Sequence, residues 1–197
     1  PVKGLSAERL ASVRLSPGHG LPHDRRFALA RGATTIDPHA PRWLPKTSFL
    51  MLLRDEKLAQ LAVSFAPDSG MLTISRAGKP VVHGKATEPL GRTLIGQFFA
   101  GFMGDPGLGT PRLVEAIGHM FSDTREKFVS LINLASVSDL ERVVRQSVHP
   151  LRFRANLYLT GLPAWSEFEW IGSEIAIGET RLRIDFYRRL AMAENPK

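Results

Sequence analysis

Only two stretches of the chain have the periodicity of an amphipathic helix, and this scarcity constrains the fold most. The first covers 88–103, with Thr87 as its expected cap and Pro89 in its first turn. The second covers 137–146, where Ser136 followed by Asp139 resembles a capping box. The rest consists of short alternating runs separated by turn residues. The pattern therefore predicts a β-rich α+β fold, arranged as a barrel.

The expected strands are short, and turn signals separate them. A hairpin is predicted over 71–83, with Ala77, Gly78 and Lys79 as its turn. Further strands are predicted at 12–15, 26–30, 61–65, 112–116, 128–132, 152–159, 174–177 and 181–186. The glycine-rich stretch GDPGLGTP follows the first helix and sets a boundary between regions 1–104 and 105–197.

The composition limits the class of function. The formal net charge is +7, which predicts attraction to anions. The basic residues form no run and no aromatic-interleaved platform, so nucleic-acid binding is disfavoured. The absence of cysteine excludes disulfides, zinc–thiolate sites and thiol nucleophiles within these 197 residues. No apolar stretch reaches the ~20 residues of a membrane span, and no signal peptide is evident, so we expect a soluble cytoplasmic protein without membrane partners.

Several polar groups admit both a functional and a structural interpretation. The six histidines have no metal-ligand spacing, and loop or surface roles are favoured for them. Glu167 and Glu169 resemble an acid/base pair, but a solvated face is the preferred interpretation. Asp24, beside Arg25 and Arg26, forms either an ion pair that orients a guanidinium or an ordinary surface salt bridge.

The stretch LRFRANLYL, residues 151–159, alternates apolar and polar positions as a β-strand does. Its polar face would carry Arg152, Arg154, Asn156 and Tyr158. This face is either exposed to solvent or directed into a pocket that holds an anion, where arginine binds phosphate in a bidentate manner. Periodicity alone favours the solvent-exposed interpretation.

Five blocks of the sequence closely resemble a known family. The blocks VSLINLASVSDLERVV, LRFRANLYLTGLPAWSEFEWIG and IAIGETRLRI resemble the core of the MOSC domain, the C-terminal domain of molybdenum cofactor sulfurases. The blocks PVKGLSAERLASVRL and LPHDRRFALA resemble the N-terminal β-barrel region that precedes this core. The resemblance thus identifies 1–104 as the N-terminal-like region and 105–197 as the MOSC core.

The resemblance implies a protein that binds the molybdenum cofactor, a pterin with a terminal phosphate. It implies that Lys3 and Arg25 come from the two N-terminal motifs, and that Arg154 and Asn156 come from the core strand. The remaining cofactor-binding positions that it implies are Ser130, Asn133, Ser136 and, with the weakest match, Arg152. The helix N-terminus at Ser136 would add backbone donors to the same anion.

The chain departs from the family at its most characteristic residue. The family carries a cysteine that ligates molybdenum or carries sulfur, in a segment that corresponds here to YRRLAMAENPK. If Arg188 matches the arginine of that motif, Arg189 stands at the cysteine position and Met192 at the threonine position, before Asn195-Pro196. Arginine cannot serve as a thiolate. We therefore expect no catalytic or metal-ligating residue, and a core that is truncated at its C-terminal end.

Three hypotheses remain open at this point. The first is a MOSC-type protein that binds molybdenum cofactor but is catalytically impaired. The family resemblance implies oxidoreductase or sulfur-transfer chemistry, with a sulfur donor or a redox protein as the partner. The second is a non-catalytic module that binds a phosphorylated ligand such as pyridoxal phosphate. The third is a truncated product without function. The first two share an anionic small-molecule cofactor as the partner.

Overall fold

The computed structural model describes residues 1–105, 107, 109–115, 118–124 and 126–185. The chain divides into two compact units, Pro1–Phe128 and Val129–Lys197, and each is described by itself. The assignment of an N-terminal-like region to 1–104 and of the MOSC core to 105–197 stays a prediction.

Among its described residues, the first unit has five strands and one long helix. In chain order these are β1 (Phe27–Ala30), β2 (Leu61–Ala66), β3 (Met71–Arg76), β4 (Lys79–Lys85), α1 (Pro89–Met103) and β5 (Arg112–Glu115). β1 pairs antiparallel with β5, and β2, β3 and β4 form an antiparallel meander. The predicted β3–β4 hairpin is confirmed, but its turn has two residues and not three, because Lys79 already belongs to β4. Ala77 and Gly78 both have positive φ, as a two-residue type I′ turn requires.

Helix α1 packs its apolar stripe into the main core of this unit. Ile95, Phe99 and Met103 are buried together with Leu72 and Ile74 of β3. The predicted helix is confirmed, although its N-cap is Glu88 and not Thr87. Pro89 occupies the first turn, where its missing N–H costs nothing, and Gly104 ends the helix in the left-handed conformation.

The second unit is organised around a parallel strand pair joined through a helix. Its elements are β6 (Leu131–Asn133), α2 (Leu134–Val144), β7 (Leu157–Leu159), β8 (Glu174–Ile177) and β9 (Thr180–Arg183), with 3-10 helices at Pro150–Phe153 and Ser166–Trp170. β6 and β7 are parallel, and β8 and β9 form an antiparallel hairpin. Because parallel strands need a long connection, α2 serves as the crossover element between β6 and β7.

Two predictions about the second unit are wrong. The predicted strand over 152–159 is a strand only at Leu157–Leu159, because Pro150 begins a 3-10 helix that ends at Phe153 and is followed by Arg154 with a φ of 52°. The four polar residues of LRFRANLYL therefore do not share one strand face. The predicted cap Ser136 lies inside the first turn of α2, and Asn133 caps the helix.

The β-rich α+β class is confirmed, but the predicted barrel is wrong for the described residues. Their strands form four separate sheets of two or three strands. A barrel requires each strand to pair with the next around a closed ring, and local alternation carries no information about such pairing. The predicted strand at 12–15 also has no ladder partner and is extended loop. In the described part of the chain, no helix is long and apolar enough to cross a membrane.

Candidate functional site

The N-terminus of α2 is tied to the loop and 3-10 helix at 163–170. The side-chain oxygen of Asn133 accepts from the Ala135 N–H at 3.1 Å, and its amide nitrogen donates to the Pro163 carbonyl at 2.7 Å and to Glu167 Oε2 at 3.0 Å. Ser136 Oγ donates to Glu167 Oε1 at 2.6 Å and accepts from the Trp165 N–H at 2.8 Å.

Glu167 thus places a carboxylate where the resemblance implied a phosphate. Asn133 and Ser136 are both buried, and each donates to one oxygen of the same carboxylate. A negative charge is stabilising at a helix N-terminus. The pair of residues carried over from the family is therefore already engaged by an anion of the chain itself.

The indole of Trp165 fixes a second carboxylate on the first turns of α2. Trp165 Nε1 donates to Asp139 Oδ2 at 2.8 Å, and Arg142 donates to Oδ1. These hydrogen bonds, that of Trp165 first, hold the pKa of Asp139 below its usual value. The indole itself stacks on Phe168, with 5.9 Å between the ring centroids.

Ser130 and Asn156 are brought together by four hydrogen bonds just before β6 and β7. Asn156 Oδ1 accepts from the Ser130 N–H at 3.0 Å and from Ser130 Oγ at 2.9 Å. The Asn156 N–H in turn donates to Ser130 Oγ at 3.1 Å and to the Ser130 carbonyl at 2.9 Å. This arrangement sets the register of the parallel pair, in which Leu131 lies opposite Leu157.

The two arginines of LRFRANLYL lie in different environments. Arg152 is exposed within the 3-10 helix at Pro150–Phe153. Arg154 is half-buried and has a left-handed backbone, which its N–H to the Leu151 carbonyl stabilises at 3.1 Å. The structure therefore presents Arg154, and not Arg152, as the sheltered guanidinium of this segment.

Lys3 and Arg25 lie in the first unit, and each has a carboxylate partner. Lys3 is 5% exposed, and its Nζ donates to the Phe121 carbonyl at 3.0 Å and to Asp123 Oδ1 at 2.5 Å. Arg25 Nη1 donates to Asp24 Oδ2 at 3.1 Å. The Arg25 carbonyl accepts from the Phe121 N–H at 2.9 Å, so both motifs hold the same backbone segment.

A cavity of about 510 Å³ lies beside these two residues in the first unit. Its lining consists of Ser16, the segment 19–24, Arg26, the segment 118–120 and Lys127. The wall therefore carries one arginine, one lysine and three histidines, against the single carboxylate of Asp24. Such a lining favours an anionic ligand of small size.

The carboxylate of Glu115 holds the Arg26 guanidinium in place. Its Nε donates to Glu115 Oε1 at 2.7 Å, and its Nη2 lies 2.5 Å from the same oxygen. Glu115 also accepts from Arg92 Nη1 at 3.3 Å, so one carboxylate serves two guanidiniums. The third nitrogen of Arg26, Nη1, lies 3.2 Å from His23 Nδ1 on the cavity wall.

Two histidines of the wall have perturbed protonation. Burial and then the nearby Arg26 charge lower the pKa of His23, and the amino group of Pro1 contributes in the same direction. Burial and then Lys127 lower the pKa of His119. Both rings therefore favour the neutral form in this arrangement.

Sequence reasoning missed this cavity and the partners of the family residues. In HGLPHDRR, the spacing of His19, His23 and Arg26 was a local signal for one part of the cavity wall. No local pattern indicated that His119 and Lys127, about a hundred residues further along the chain, would join them. The residues at the family's cysteine motif, Arg188, Arg189, Met192, Asn195 and Pro196, lie outside the described residues. In the part that is described, no three His, Asp or Glu side chains are placed to hold a metal ion.

The comparisons with known proteins agree with the resemblance in one part of the chain. Residues 107–189 match the family model of the MOSC domain. Neither the curated proteins nor the solved structures contain a significant match. The matched range does not include Lys3 and Arg25, and their roles stay predictions. The absence of cysteine from the sequence is consistent with the expected lack of the family's thiolate. Residues 107–189 of this chain are therefore similar to the MOSC domain, over somewhat less than half of the sequence.

Proposed function

We propose that the chain is a MOSC-type binding module for a small anionic cofactor, and that this cofactor is the phosphate-bearing pterin of the molybdenum cofactor. The observation that supports the proposal is the 510 Å³ cavity, whose charged wall residues are Arg26, Lys127 and Asp24. The MOSC match supports the identity of the ligand, since the family is associated with that cofactor.

The residues fit the anionic end of such a cofactor and not a thiolate-held metal. The chain contains no cysteine, so it supplies no thiolate ligand and no thiol that could carry sulfur. Arg26, in contrast, points Nη1 towards the cavity wall, and Lys127 adds an ammonium that donates to the Gly118 carbonyl at 2.6 Å. A phosphate can accept from both groups. We therefore propose that the chain binds the anionic end of the cofactor and carries out no thiolate chemistry of its own.

Lys3 and Arg25 support this cavity in the proposal. Lys3 Nζ holds the Phe121 carbonyl, and the Phe121 N–H bonds to the Arg25 carbonyl. Met120 and Asp24, the neighbours of these two residues, line the cavity. The two motifs thus fix the wall on which the anion would lie. Ser130, Asn133, Ser136, Arg152, Arg154 and Asn156 remain a second proposed set, which a separate variant tests.

The test is the pterin and molybdenum content of protein made in a host that produces molybdenum cofactor. We expect oxidised pterin, measured by fluorescence, at near one equivalent, and molybdenum, measured by mass spectrometry, well below it. Replacing both Arg26 and Lys127 with glutamine should remove the pterin. The exposed Arg42→Gln is the matched control, since it lies outside the cavity lining.

Arg154→Ala tests the second set in the same assay. Loss of pterin in Arg154→Ala with retention in the Arg26/Lys127 double variant would move the binding site to the second unit and refute the cavity assignment. If the wild-type protein copurifies with no pterin and no phosphate ester raises its melting temperature, the proposed function is refuted as a whole.

The missing thiolate favours one alternative, binding of a phosphorylated ligand that needs no metal. Pyridoxal phosphate is the first compound to test by thermal shift. Stabilisation by this compound without pterin in the purified protein would support the alternative. Lys127 is the lysine of the cavity wall, and an absorbance band of a Schiff base that disappears in Lys127→Gln would show covalent attachment.

A further inference from the structure

We infer that binding in the 510 Å³ cavity is coupled to proton uptake by His23 and His119, so that a phosphate-type dianion binds more tightly as the pH falls. The inference rests on the proposed function, because it concerns the same cavity. It adds a chemical class of ligand, the dianion, and a means of regulation, the ambient pH.

The contact between His23 and Arg26 determines the starting state of the first histidine. A guanidinium nitrogen is always a donor. At 3.2 Å from Arg26 Nη1, His23 Nδ1 must therefore be the acceptor, and the ring must be neutral. Protonation of Nδ1 would set two donors against each other. A bound oxyanion accepts from both groups and removes this conflict.

The other groups around His23 do not replace such an anion. The ring meets Phe65 edge-on, with centroids 5.6 Å apart, and the amino group of Pro1 adds positive charge. The adjacent carboxylate of Asp24 is paired with Arg25. Glu115 lies on the far side of Arg26 and is shared with Arg92. The neighbouring charges that act on the His23 ring, those of Arg26 and the Pro1 amino group, are therefore positive and lower its pKa.

His119 also lines the cavity and also lies near a positive charge. Its ring packs edge-on against Phe121 at 5.5 Å between centroids, and Lys127 is the charged group that faces it. Salt bridges of the described residues include none to Lys127. His19 completes the histidine lining of the cavity. An anion near Lys127 would therefore also favour protonation of His119.

The sign of the coupling follows from these contacts. Without ligand, burial and the nearby positive charges lower the pKa of both histidines. A dianion raises both values, so the complex binds more protons than the free protein between the free and the bound pKa. Affinity must then rise as the pH falls through this interval, by up to about tenfold per pH unit for each proton taken up.

Isothermal titration with sodium sulfate as the probe tests the coupling, because sulfate does not titrate near neutral pH. We expect about ten- to a hundredfold tighter binding at pH 6 than at pH 8, and a heat that changes with the ionisation enthalpy of the buffer. The variant His23→Gln/His119→Gln should bind with a heat that no longer depends on the buffer. His39→Gln, exposed and outside the lining, should behave like the wild type.

The outcomes separate the inference from the proposed function. Sulfate binding with the same heat in all buffers and no dependence on pH would overturn the inference while leaving the cavity as an anion site. No binding of sulfate or pyridoxal phosphate at pH 6 would refute the cavity site itself. Circular dichroism of each variant shows whether a change in binding comes from the loss of the titrating histidines or from unfolding of the protein. A buffer-dependent heat that persists in the double variant would assign the proton elsewhere and also overturn the inference.

Discussion

Glu167 is predicted to stabilise the second unit because its carboxylate closes the N-terminus of α2. Replacing it with alanine removes the hydrogen bonds from Asn133 at 3.0 Å and from Ser136 at 2.6 Å. Hydrogen bonds to charged groups contribute about 1.5–3 kcal/mol each, and a negative charge at a helix N-terminus contributes about 0.3–1 kcal/mol. Asn133 keeps its bond to Pro163, and Ser136 keeps its bond from Trp165. Because these bonds remain, we expect the low end of the sum, and Glu167→Ala should lower the free energy of unfolding by about 3–4 kcal/mol.

Urea denaturation provides the measurement, with tryptophan fluorescence as a probe because Trp165 and Trp170 lie in the same unit. Glu169→Ala is the matched control: it is the same change in the same 3-10 helix, at an exposed residue that hydrogen-bonds no described side chain. This control should change stability by less than about 0.5 kcal/mol. If Glu167→Ala is as mild as Glu169→Ala, the carboxylate does not act as the internal anion of α2.

Three further predictions concern the first unit. Gly91→Ala should lower the free energy of unfolding by about 2–3 kcal/mol, because a Cβ at this position would overlap the Lys85 carbonyl in the backbone of β4. Thermal unfolding measures the effect, with Gly101→Ala as the control, because a Cβ there would meet no atom within 4 Å. Ala77→Gly should raise stability by about 0.5 kcal/mol, because Ala77 has φ 49°, and a rise in melting temperature checks it. His23 and His119 have a lower pKa in the folded protein than in the unfolded chain, where it is about 6.5. Their contribution to stability is therefore complete above that pH and is lost as the pH falls through their folded-state pKa. The wild type should therefore lose stability on acidification in this range, and His23→Gln should reduce the loss in urea denaturation at pH 7.5 and 5.5.

Local sequence patterns predicted the elements whose cause is local. The β3–β4 hairpin depends on two turn residues, and α1 depends on a continuous apolar stripe with Pro89 at its start. The strands β8 and β9 were predicted separately, at 174–177 and 181–186, and they lie at Glu174–Ile177 and Thr180–Arg183. Their pairing as a hairpin was not predicted. In each case the information lies within about fifteen residues of the chain, which is the range that periodicity covers.

The remaining features depend on partners that are distant in sequence. Asn133 and Ser136 are both good capping residues, and the structure selects Asn133 while Ser136 binds Glu167, 31 residues away. Lys3 finds Asp123 across 120 positions. Alternation also could not separate a strand from the 3-10 helix that Pro150 begins. Which anion each basic or polar side chain meets is a tertiary property, so the family residues were identified while their partners were not.

The balance of charges around these residues favours the cavity as the proposed anion site. Lys3 is neutralised by Asp123, Arg25 by Asp24, and the N-terminus of α2 by Glu167. At the cavity the balance differs, because Glu115 is shared by Arg26 and Arg92, and one positive charge is left over. Lys127 adds a second charge beside a neutral histidine. An external anion placed there would complete pairings that the protein's own carboxylates leave incomplete. At Lys3, Arg25, Asn133 and Ser136 it would instead have to displace a carboxylate that is already bound.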